Sequence, residues 1–102
     1  MMVHPENVAL FRNNIRLARG NKGLASAMNE MIAKAKVYQD KVTKGMVFSL
    51  AVSDELSEAM SSIHEFKDVA GDLVFLSMNG IKFPNLPPDQ FCDTLVAAAD
   101  GA

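Results

Sequence analysis

Residues 24–42, LASAMNEMIAKAKVYQDKV, decide the fold class. Leu24, Met28, Met31, Ala35, Tyr38 and Val42 recur at spacings of 4-3-4-3-4, which on a helix draws one continuous apolar seam of heptad type. A strand would need alternation with period two, and the stretch has none. Lys44 and Gly45 follow as a last-turn cation and a stop, so a helix is expected over about 24–44.

Working C-terminally, a second seam runs through Val52, Leu56, Ala59, Ile63, Phe66, Ala70 and Leu73. Ser53 opens it as a helix cap, with Asp54 and Glu55 in the first turn, where the helix dipole favours carboxylates. Two heptad seams joined by a short connection predict an antiparallel helical hairpin. Gly71 interrupts the third helix, at a cost of about 1 kcal/mol relative to alanine, and is expected to mark a kink or a close approach. The connecting stretch MVFSLAV, residues 46–52, fits a strand by composition and a helix start by length. With no second strand at hairpin distance, a linker or helix start is favoured.

Towards the N-terminus, Pro5 suits the first position of a helix. Val8, Phe11, Ile15 and Ala18 make its apolar stripe, and Gly20, Asn21 and Gly23 end it with a turn. Towards the C-terminus, IKFPNLPPDQ carries three prolines in five residues and is a loop. Pro88 then opens a last helix with Phe91, Leu95 and Ala98 on one face. The chain is thus expected to be all-α: a single domain over 1–102, with helices over about 5–19, 24–44, 52–76 and 88–99. The hairpin is flanked by two shorter helices, and dimerisation could complete a small bundle.

Composition agrees with a folded body. Apolar residues make up 49% of the 102, enough to offset the entropy of ordering the chain. Cys92 is the only cysteine, so no intrachain disulfide forms, and a cytoplasmic location is expected. Pro5 and Glu6 interrupt what a secretory signal would keep apolar, and no apolar run approaches membrane-spanning length. No membrane association and no cofactor are expected.

Charge is divided unevenly. Residues 1–45 hold eight Lys/Arg against three Asp/Glu, a balance of +5, while residues 46–102 hold two against nine, a balance of −7. In the first part Arg12, Arg16 and Arg19 each follow an apolar stripe residue by one position. They flank the core face of their helix about 100° away. In the second part Asp54, Glu58, Glu65, Asp68 and Asp72 follow seam residues by two, which predicts an acidic stripe facing away from the seam. The arginines are then expected to pair with a neighbour's carboxylates and to lay their stems on apolar surface. Alternatively, Arg12, Arg16, Arg19 and Lys22 grip phosphates.

The stretch NIRLARGNKGL, residues 14–24, resembles the opening of Cro/repressor-type helix-turn-helix domains, where a helix ending in Arg and Lys-Gly-Leu precedes the scaffold helix. The resemblance covers these eleven residues and stops there. The next residues continue as one long heptad helix, leaving no place for a short recognition helix behind a tight turn.

No catalytic constellation stands out, and the chain is read as a non-enzyme. His4 and His64 are far apart, and neither has a Cys or His partner at i+3 or i+4, as a metal site would need. Cys92 lies near the apolar face of the last helix, where a free thiol behaves as a small hydrophobe. Apolar residues outside the seams are in surplus: Met46, Val47, Phe48, Leu50, Val74, Phe75, Leu76, Phe83 and Leu86. Of these, Met46, Phe48, Leu50, Phe75, Phe83 and Leu86 are the candidate partner or dimer interface. Met28, Met31, Met46 and Met60 are placed near it as adaptable side chains. The expected function is a small regulator, chaperone or anti-activator that masks a surface of a larger protein, with the chain itself a homodimer. The alternative is a nucleic-acid-binding transcriptional regulator that uses the basic N-terminal helix.

Overall fold

The computed structural model describes the backbone of residues 3–48 and 53–101 and the side chains of residues 3–43 and 64–101. Four helices make up the described residues, with no strand: α1 (Pro5–Ala18), α2 (Lys22–Phe48), α3 (Ser53–Met78) and α4 (Pro88–Asp100). The all-α class therefore stands. At 1.5 Å per residue the 27-residue α2 is about 40 Å long, which accounts for most of the 46 Å long axis of the molecule.

Asn21 starts α2. Its side-chain oxygen accepts from the backbone N–H of Gly23 (3.0 Å) and Leu24 (3.3 Å), and its carbonyl accepts from Ala25 at 2.8 Å. This is an N-cap, so the helix begins at Lys22, two residues before the point expected from the glycines. Nor does Gly45 stop it. Among the described residues only Gly80 has a positive φ, so Gly45 makes no left-handed termination and α2 runs on to Phe48. Residues 46–48 are thus helical, while 49–52 lie outside the described residues.

α3 ends in a Schellman motif. Ile81 N–H reaches Leu76 O (3.1 Å) and Gly80 N–H reaches Ser77 O (3.1 Å), with Gly80 at φ +86°. Ile81 and Leu76 are both buried, supplying the apolar contact that accompanies this turn. The prolines of the following loop hand over to α4, where Pro87 O accepts from Phe91 N–H at 2.8 Å.

α2 is the central helix and packs on both α3 and α4, while α1 packs chiefly on α4. Met28, Met31 and Ala35 of its seam are fully buried, and Leu24, Tyr38 and Val42 half-buried. Met28 and Met31 are therefore core side chains rather than surface ones. On α3 the buried line is Val69 and Leu76, with Phe66 and Leu73 half-buried beside it. The helix is rotated from the expected seam so that Glu65 and Asp72 turn towards α2. Lys34 Nζ lies 2.8 Å from Asp72 and Lys41 Nζ lies 3.0 Å from Glu65. These carboxylates do not face away, because long lysine side chains on α2 reach across to them. Pairing 34 with 72 and 41 with 65 also shows the two helices running in opposite directions. Gly71 makes no close approach: a Cβ there would meet nothing within 4 Å.

The other end of the core is aromatic. Phe11 packs edge-on against Phe91 (centroids 5.2 Å) and tilted against Phe83 (6.0 Å), and Phe83 also meets Phe91 at 6.0 Å. Asn14, on the same buried face of α1, donates from its side-chain amide to Lys82 O at 2.6 Å and ties the proline loop to the helix.

Candidate interaction surfaces

The six apolar candidates separate. Phe83 and Leu86 are half-buried against the core, Phe83 within the aromatic cluster. Phe75 is 47% exposed on α3. The side chains of Met46 and Phe48, and Leu50 altogether, lie outside the described residues. Phe75 has company that the sequence reading did not single out as an interface. Val74 is 58% exposed and Met78 83% exposed, and at 100° per residue the three fall within about 100° of one another on the side of α3 opposite Val69 and Leu76. Gly71, one turn before, is exposed and unencumbered, so no side chain stands between this apolar group and the solvent there.

The basic residues separate as well. Arg12 is half-buried, and its guanidinium lies against Gly101 at the C-terminal cap of α4, where a Cβ would collide with it. α4 has no basic residue of its own in the last turn, so this cation from α1 faces the negative end of the helix dipole. Its Nε is buried without a hydrogen-bond partner. Arg16, Arg19 and Lys22 are exposed, and none forms an ion pair among the described residues. The expected pairing with carboxylates of the same chain is therefore absent for these three. The acids they would have met are engaged by α2 lysines, including Asp100 by Lys36 at 3.2 Å.

A shallow open cavity of about 430 Å³ between α2 and α4 is lined by Val3, Gln39, Asp93, Val96, Ala97 and Asp100. Both of its carboxylates are occupied. Gln39 donates to Asp93 at 2.5 Å, and Lys36 pairs with Asp100. Cys92 is fully buried, and burial pushes its thiol up to about 12, with Asp93 and Asp89 adding to the effect. It is a neutral thiol at physiological pH, the opposite of an activated nucleophile. Among the described residues no group of three or more His, Cys, Asp or Glu could hold a metal ion, and no helix is long and apolar enough to cross a membrane.

Comparison with family profiles, with curated proteins and with solved structures finds no match for this chain.

Proposed function

We propose that the protein is a non-catalytic binding module that masks a surface of a larger protein through the outer face of α3. The observation that carries this reading is the exposure of Val74, Phe75 and Met78 together on one helical face, beside a glycine that leaves the approach open. Three large apolar side chains so grouped lose more free energy to water than a soluble helix needs to, unless another surface covers them. Met78 is flexible enough to mould to a partner, and Phe75 offers a rigid ring as an anchor. In this reading α2 and α3 form the helical hairpin that presents the face, the protein works in the cytoplasm, and a second copy of the chain is the other occupant the face could take.

The test is a comparison of the wild-type chain with Val74→Ser/Met78→Ser. Both side chains are exposed, so the variant should fold with an unchanged helical spectrum. Wild type should retain a stoichiometric protein from lysate of its source, and the variant should lose it. A wild-type dimer in sedimentation that becomes a monomer in the variant would assign the face to self-association. Equal capture by both proteins would remove α3 from the function.

A further inference from the structure

The corner between α1 and α2 has a separate role, independent of the α3 face. We infer that Arg16, Arg19 and Lys22, with the bare backbone of Gly20 and Gly23, form a phosphate-binding corner that takes the backbone of a nucleic-acid duplex without reading its bases.

The cations are the first observation. Lys34, Lys36 and Lys41 each meet a carboxylate within 3.2 Å, whereas Arg16, Arg19 and Lys22 are exposed and meet none among the described residues. Arg16 and Arg19 are three residues apart on α1, so their Cβ atoms lie about 5–6 Å from each other on one side of the helix. Lys22 follows across the turn, three residues further on.

The glycines are the second observation, and it is independent of the first. Neither has the positive φ that demands glycine. Neither is crowded: a Cβ at Gly20 would meet Leu17 O at 3.7 Å and one at Gly23 would meet Asn21 Oδ1 at 3.5 Å, both ordinary contacts. Gly23 lies inside the first turn of α2, where alanine would favour the helix. These positions thus give up stability with no return in conformation or packing. What a missing side chain does supply is close access to the backbone for a ligand.

A phosphodiester chain fits this combination better than an acidic protein does. It is narrow and carries its charges in sequence along its own backbone, so it can lie on bare peptide between guanidinium forks. Phe11, Phe83 and Phe91 are committed to the core, Tyr38 and Phe66 pack on each other, and Phe75 is on α3. No aromatic ring lies within the Arg16–Gly23 segment to stack on unpaired bases, which favours a duplex over a single strand. The acids of the chain interfere little, since Glu65, Asp72 and Asp100 already have lysine partners.

The experiment is fluorescence anisotropy of a labelled DNA duplex titrated with the full chain between about 50 and 200 mM salt. Three phosphate contacts predict a slope of log K against log salt of about −2.7. Arg16→Glu should weaken binding by about tenfold or more and flatten that slope, while Lys67→Glu, the same charge reversal on exposed α3, should leave binding within about twofold. Gly23→Ala should raise the melting temperature and yet weaken binding, a pair of effects that damage to the fold cannot produce. No anisotropy change at the lowest salt overturns the inference, as does an equal effect of Arg16→Glu and Lys67→Glu. Competition by polyglutamate as effective as by unlabelled duplex would overturn it in favour of an acidic protein.

Discussion

Cys92 shows how one buried side chain sets the alkaline limit of the fold. Unfolded, its thiol titrates near 9.0, and folded it is pushed up to about 12 by burial and by the nearby Asp93 and Asp89. Above pH 9 the unfolded chain has released a proton that the folded chain keeps, so stability is intact below pH 9 and falls as pH rises through that window. The loss between pH 9 and 10 should be about 1.4 kcal/mol, read from urea midpoints, and Cys92→Ala should remove it. Above that range Tyr38, raised by burial and by the acidic side of α4, and Lys34, raised by its hydrogen bond to Asp72, add losses of the same sign. A wild-type protein equally stable at pH 9 and 10 would mean that the thiol is not buried. The apolar surroundings of Cys92 could be read from its place on the last helix face, because periodicity reports apolar faces directly. The burial of Asn14 could not. A polar residue on a core face carries no signal until its partner, here the carbonyl of Lys82, is known from the fold.

At the scale of elements, the glycines separate helix positions that look alike in sequence. Gly71 lies inside α3 with empty space around a Cβ and an ordinary φ, so Gly71→Ala should stabilise by about 0.5–1 kcal/mol. Gly80 holds φ +86° in the Schellman turn, and Gly80→Ala should cost about 1 kcal/mol although its Cβ would also meet nothing. Chemical denaturation of the two variants checks the opposite signs; a shared sign would mean that conformation is not what distinguishes the sites. The same turn explains why α3 extends past the expected 76. The Asn-Gly pair was legible as a turn, but the two closing hydrogen bonds from Ile81 and Gly80 settle which residue is the last. The heptad seam of α2 was legible because Met28, Met31 and Ala35 have no competing register. α3 has two, one through Phe66, Ala70 and Leu73 and one through Val69 and Leu76, and both are helical in spacing. The lysines of α2 decide between them by drawing Glu65 and Asp72 inward, and that is a property of the pair of helices.

At the scale of the molecule, α2 is shared by two unlike packings. On one side α3 is held by Tyr38 stacked near Phe66 and by two lysine–carboxylate pairs; on the other, α1, the proline loop and α4 meet around Phe11. Partly exposed ion pairs contribute only about 0.2–1 kcal/mol each, so the aromatic side should be the more strongly held. The candidate surfaces follow this division. The apolar face lies on α3, and the unpaired cations lie at the α1–α2 corner. Phe75 and the arginine spacing were visible in the sequence, whereas the lack of carboxylate partners for Arg16, Arg19 and Lys22 required the fold that commits those partners elsewhere. The division also predicts how the protein opens. Phe11→Leu shortens the side chain wedged between Phe83 and Phe91 and should raise hydrogen-exchange rates together in α1, in residues 81–87 and in α4. Amides of residues 65–76 on α3 should be less affected, because α3 packs chiefly on α2. An equal rise along the whole chain would show instead that the two packings open as one cooperative unit, with α2 transmitting the loss at Phe11 to both of its faces.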